Sequence, residues 1–172
     1  SGKSKGGLFV SAKAETKNIK SFLSLNVQCN SGNLGFNYFT KYSHFDYLSL
    51  DQREYRLGLH DRISSIEEMI EKNVGKNFNP PASITTGEGG SIFIDKNFEL
   101  HRSPIFFKDV VDTTGAGDTY FAITSLLAYK DVDPILIPFI GNCYAGLKTR
   151  IIGNKRSVSK LELEKTVKGI LA

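Results

Sequence analysis

The sequence predicts an α/β protein, a three-layer α/β/α sandwich built around a mainly parallel sheet. Short β-branched and aromatic runs alternate with helical periodicities in the order strand, loop, helix; glycine-rich turns fall where strands end; and 172 residues suit one domain with one core. In such folds the ligand loops gather at the carboxyl ends of the strands.

The elements are justified in chain order. Ser1–Gly7 contains only Ser, Gly and Lys, so residues 1–17 read as a flexible basic lead-in or a cloning remnant, with the domain running from 18 to 172. Residues 21–29 alternate apolar and polar positions and predict a strand, followed by a polar Asn30–Asn33 loop. Phe45–Leu50 is a second short apolar run that ends at Asp51-Gln52-Arg53-Glu54. From Ser65 to Asn73, Ile66, Met69 and Ile70 recur at helical spacing among acids and a lysine, as on an amphipathic surface helix. Pro80-Pro81 breaks that pattern, and Ala82–Thr86 leads into the turn Gly87-Glu88-Gly89-Gly90. Ser91–Ile94 predicts a strand, and Asp95-Lys96-Asn97 a hairpin turn toward Phe98–His101. An extended Ile105–Val111 then runs into Asp112–Asp118, and helices are predicted over 119–129, 138–150 and 159–171.

Composition removes several classes. With 40% hydrophobic and 23% charged residues the chain is neither disordered nor fibrous. No apolar run approaches the roughly 18 residues of a membrane span and no secretory signal is evident, so a cytoplasmic location is expected. Cys29 and Cys143 stand apart and form no CxxC pair, which predicts two reduced thiols. Residues 1–20 carry five lysines and one glutamate, so the whole +4 net charge resides there and the body is balanced. Nucleic-acid binding is disfavoured, because a polyanion site spreads its cations over a face. His44, His60 and His101 lack metal-ligand spacing, and the Phe and Tyr residues are scattered as core residues are.

The chemistry concentrates in Gly115-Ala116-Gly117-Asp118. Small residues at a helix start leave backbone N–H groups free to point at an anion, and the helix dipole adds to the attraction. An aspartate at the end of such a cradle can take the proton of a hydroxyl that attacks a bound phosphate. Taken alone the pattern also suits an ordinary glycine turn with an acidic first helical turn.

The longer motif Asp112-Thr113-Thr114-Gly115-Ala116-Gly117-Asp118 resembles the C-terminal signature of the ribokinase-like (PfkB) family of carbohydrate kinases. In that family an anion-hole loop precedes the catalytic aspartate, which implies that Gly115, Ala116 and Gly117 form the hole and Asp118 is the base. Ile123 stands where the family has a small residue. Asp51 and Glu54 resemble the family's Asn-x-x-Glu element, with Asp in first place, and imply an indirect role in Mg²⁺ and phosphate binding; the pair also suits a helix cap. Thr85, Thr86, Gly87, Glu88, Gly89 and Gly90 resemble the strand-loop that runs along ATP, and Asn142 falls where the family has an asparagine near the adenine, although an ordinary helix amide is the alternative. Asp112, Thr114, Lys148, Ile151, Gly153 and Ser157 match a monovalent-cation loop, which implies an optional K⁺ held mostly by backbone carbonyls. Lys148, Arg150, Lys155, Arg156 and Lys160 also suit a solvated basic face.

Within the family, Asn26–Asn37, Phe139–Asn142 and Ile152–Val158 look most like kinase domains of ADP-heptose synthesis, which act on a heptose 7-phosphate and are sometimes fused to a cytidylyltransferase. No nucleotidyltransferase segment is evident in these residues. The resemblance runs from about Asn18 to Ala172 and covers only the C-terminal half of such a kinase. It implies ATP, Mg²⁺ and a sugar or sugar-phosphate as ligands, with most of the sugar pocket supplied by an N-terminal half or another subunit; a homodimer stays open. The alternatives are a non-catalytic nucleotide-binding module and an interaction protein that uses the basic N-terminal arm.

Overall fold

The computed structural model describes residues 21–29, 35–153 and 155–172; the lead-in, the Asn30–Asn33 loop and Asn154 lie outside them. Five strands form one sheet in the order β1 (Ser24–Leu25), β2 (Tyr47–Asp51), β3 (Ala82–Thr85), β4 (Ser91–Ile94) and β5 (Leu100–Ser103). β1, β2 and β3 pair in parallel, and β4 is antiparallel to both β3 and β5. Four strands therefore share one direction and β4 alone opposes them, in keeping with a mainly parallel α/β sheet.

Side-chain alternation assigns the two faces. Leu48, Leu50, Ala82, Ile84, Ile92 and Ile94 join one core with Tyr55, Met69, Ile70 and Phe78. These last four come from α1 (Gln52–Leu59), α2 (Ile66–Asn73) and the segment after it. The in-between positions Tyr47 and Phe93 point the other way and pack with Ala128 and Ile137. Those belong to α3 (Ala116–Tyr129) and α4 (Leu136–Thr149), and α5 (Lys160–Leu171) follows. Helices on both faces make the three layers.

Local chemistry sets the helix starts. Asp51, Ser65 and Ser159 each cap a helix in a reciprocal box with Glu54, Glu68 and Glu162. In each case the side-chain oxygen accepts an N–H three residues on, while the glutamate accepts the cap's own N–H. Three boundaries differ from expectation. The strand predicted over 21–29 narrows to Ser24–Leu25, since only Leu23–Leu25 meets a partner strand's backbone. Residues 105–111 pair with no strand; Val111 and Asp112 instead donate to the Thr149 carbonyl at the end of α4, both at 2.9 Å. A helix also forms at Gln52–Leu59, beyond the cap read at Asp51.

Two of the three histidines, His60 and His101, have structural partners. His60 ends α1 in a left-handed conformation against Tyr38. His101 meets the Asp95 carboxylate at 3.0 Å, and the other Asp95 oxygen accepts the amides of Asn97 and Glu99 to brace the β4–β5 turn. Among the described residues no helix is long and apolar enough to cross a membrane.

Candidate active site

The carboxyl ends of β2 and β3 and the amino end of α3 open into one cleft. Ser49, Asp51, Glu54, Thr85, Gly117 and Asp118 line it, with Asn26 and Gln28 contributed from the segment after β1. Parallel pairing of β2 with β3, register Asp51 to Thr85, is what brings the two loops level.

Gly115 sits at the amino end of α3 in a left-handed conformation, φ 77°. That turn is closed by Ala116 N–H donating to the Thr113 carbonyl at 3.1 Å. The amides of Gly117 and Asp118 make no hydrogen bond to the described residues, and space around Gly117 is open. Exposed N–H groups at a helix amino end favour an anion. The Asp118 carboxylate is exposed in the first turn of α3, where the Gln28 amide donates to it at 3.2 Å.

A buried polar network carries α3 on the sheet. The Tyr47 hydroxyl bonds Ser83 at 2.8 Å and Thr124 at 2.7 Å, and the Tyr120 hydroxyl donates to Ser83. Each member is satisfied, so the network rigidifies the platform under the Gly115 turn. Burial holds the Tyr47 phenol well above its ordinary pKa, in its neutral donor form.

Glu54 is the one buried carboxylate in the cleft. One of its oxygens accepts Asp51 N–H at 2.9 Å and the other accepts Cys29 N–H at 3.3 Å. Its pKa is pushed up to about 7, chiefly by burial, with the nearby Asp51 and Asp118 charges adding and the two amide bonds opposing. Asp51 is exposed beside it.

Thr86 N–H and Thr86 Oγ1 both donate to the Gly90 carbonyl, which closes the glycine-rich turn. Gly90 has φ 87° and a Cβ there would lie 2.1 Å from the Ser103 carbonyl, so no other residue fits. Only Thr85 of this segment lines the cleft; Gly87, Glu88 and Gly89 are exposed beyond it. Asn142 is buried on α4 and gives its amide hydrogens to the carbonyls of Ser103 and Pro104, at 2.8 and 3.0 Å. It thus braces the end of β5 from behind the turn.

The Asp112 region comes together from three segments. Asp112 Oδ1 accepts Thr114 N–H at 2.8 Å and Oδ2 accepts Gly153 N–H at 2.6 Å. These bonds, first those from Thr114, hold its pKa down to about 2. Lys148 and Ile151 are buried beside this turn, and the Lys148 ammonium donates to the Gly153 carbonyl. Ser157 is exposed and its carbonyl accepts from the Arg156 guanidinium. Sequence reasoning alone gives Asn26, Gln28 and Cys29 no role in the site; their one signal is a place in the family-like phrase Asn26–Asn37.

Residues 38–133, more than half of the chain, match the family described as pfkB family carbohydrate kinase. The chain belongs to this family. The pfkB match spans the Asp51 cap, the glycine-rich turn and Asp118. A curated relative is the bifunctional protein HldE of Vibrio atlanticus, 29% identical over 136 residues, covering 76% of this chain and 28% of that protein. Among solved structures, Thermotoga maritima ribokinase matches with a TM-score of 0.61 at 22% identity, over 72% of this chain and 42% of the other. Arabidopsis thaliana ribokinase, solved with ribose and ATP, matches with a TM-score of 0.65 at 20% identity, over 72% and 41%. Escherichia coli phosphofructokinase-2, solved with potassium, matches with a TM-score of 0.67 at 12% identity, over 77% and 43%. The fold is that of ribokinase, and the chain spans well under half the length of these relatives.

Proposed function

We propose that this chain is the nucleotide-binding and catalytic portion of an ATP-dependent sugar or sugar-phosphate kinase. The observation that carries this is the convergence in one cleft of the Asp118 carboxylate, the free amides at the start of α3 and the Asp51–Glu54 pair. In the proposed step a sugar hydroxyl oxygen bonds to the γ-phosphorus of ATP and the bond to the ADP oxygen breaks. The hydroxyl proton passes to Asp118, and ADP leaves with the negative charge. The amides of Gly117 and Asp118 stabilise charge on the transferring phosphoryl oxygens, and the open space at Gly117 lets phosphate approach the backbone. Gln28, by donating to Asp118, orients the base toward the cleft.

Asp51 and Glu54 offer oxygen donors only, which suits a hard divalent cation reached through water. Mg²⁺ bound there with the nucleotide would offset phosphate charge. Asn142, with its amide already given to the Ser103 and Pro104 carbonyls, acts by positioning the β5 end and the glycine-rich turn along the nucleotide. The resemblance of Asn26–Asn37, Phe139–Asn142 and Ile152–Val158 to kinase domains of ADP-heptose synthesis supports a heptose phosphate as the first sugar to test. Because the chain spans only part of its relatives, the sugar pocket of the whole protein is assigned to residues outside this sequence, in the same polypeptide or in another subunit.

The test is Asp118→Asn in the complete kinase. Turnover should fall by about 10³-fold or more while Mg·ATP affinity stays within about twofold, because the base acts on the hydroxyl and not on the nucleotide. A loss confined to ATP affinity would remove Asp118 from the role of base. Retained ATP binding with no phosphorylation of any sugar by the unsubstituted kinase would favour the non-catalytic module.

A further inference from the structure

The family resemblance implies a monovalent cation held mostly by backbone carbonyls of the Asp112 region, and three of the six residues concerned already have their carbonyls engaged within this chain. The Lys148 carbonyl accepts the N–H groups of Arg150 and Ile151 as α4 ends. The Ser157 carbonyl accepts from Arg156, and the Gly153 carbonyl accepts from the Lys148 ammonium. Three of the expected ligands are thus committed within the chain, one of them to a cation. Lys148 is only 6% exposed, an unusual burial for lysine that needs paired or hydrogen-bonded surroundings.

The position of that charge gives it a use. Gly153, whose carbonyl meets the ammonium, also presents the N–H that binds Asp112 Oδ2, and Asp112 Oδ1 holds Thr114 N–H next to Gly115. A positive charge placed there polarises the Gly153 carbonyl, and its field favours the ionised Asp112 carboxylate. Being tethered, it is present at high effective concentration and outcompetes a free ion for the same carbonyl.

We propose that the Lys148 ammonium serves as an internal cation that holds the Asp112–Gly115 loop, in place of a monovalent metal ion. The proposal rests on the reading of that loop as the anion hole. It makes this chain a K⁺-independent member of its family.

Thermal unfolding and Mg·ATP titration at constant ionic strength, in KCl and in N-methyl-D-glucamine chloride, test it. The unsubstituted chain should melt within about 1 °C in the two salts, since no site for K⁺ links to the folded state. Lys148→Met should melt several degrees lower in the organic salt and recover specifically in KCl, as K⁺ enters the vacated position. A K⁺-specific rise in the melting point of the unsubstituted chain overturns the proposal, and needs no variant to fold. So does a Lys148→Met loss that K⁺ leaves unrestored, or a variant that matches the parent in both salts. Absence of ATP binding in either salt would instead strike the kinase reading, because the melting comparison involves no nucleotide.

Discussion

Glu54 shows how one residue serves two demands in the cleft. Its carboxylate closes the α1 capping box and also accepts Cys29 N–H, yet burial raises its pKa from 4.5 to about 7. The sign of the pH effect follows. The folded state keeps a proton that the unfolded state releases between about pH 4.5 and 7, so stability from this group is full below that window and is lost as pH rises through 7. Other acids confound the raw profile, since Asp61, Asp112 and Glu162 are all held down to about 2 by their hydrogen bonds. The melting temperature of the parent minus that of Glu54→Gln isolates the contribution of this carboxyl, because glutamine cannot titrate. That difference should fall between pH 5 and 8, with the parent losing ground; a flat difference would show that Glu54 titrates normally.

At the scale of elements, the crossing of α3 and α4 is what holds the Gly115 turn against the sheet. Gly141 makes the crossing close: a Cβ there would lie 2.5 Å from the Tyr120 ring and 2.8 Å from Thr124 Cγ2. Both contacted residues belong to the buried network with Tyr47 and Ser83. Alanine has the higher helix propensity, by about 1 kcal/mol, but overpacking at such a site costs typically 1–3 kcal/mol. Gly141→Ala should therefore lower the melting temperature by a few degrees. A rise would mean that the helices part freely and that propensity governs.

For the whole molecule, the decisive fact is extent. The chain carries the pfkB family match and the ribokinase fold, yet spans 41–43% of three ribokinase-fold enzymes and 28% of HldE. Its cleft gathers the free amides of α3 with the Asp51, Glu54 and Asp118 carboxylates, proposed above to meet the phosphates, while the sugar pocket is proposed to lie in residues beyond this sequence. The chain alone is therefore expected to bind Mg·ATP in isothermal titration and to phosphorylate no sugar. Adding the rest of the protein should restore turnover with a heptose phosphate. Turnover by the chain alone would show that its own residues suffice to hold the sugar.

What could be read without coordinates was local. Gly115 to Asp118, the Asp51–Glu54 cap and the Thr85–Gly90 turn are short contiguous patterns, and their backbone needs select residue types that a single sequence displays. Most of the order of strands and helices followed from periodicity for the same reason, but the helix Gln52–Leu59 was signalled only by its Asp51 cap. The contacts that complete the cleft join distant residues: Gln28 with Asp118, Cys29 with Glu54, Asp112 with Gly153. Ser24–Leu25 shows the limit in an element, for alternation over 21–29 could not reveal how little of it would find a partner. Lys148 shows it in a side chain. Its place in a basic run suited a solvated face, and only the packing of α4 against the Asp112 loop buries its ammonium on the Gly153 carbonyl, because a charge's solvation is set by neighbours that chain order does not specify.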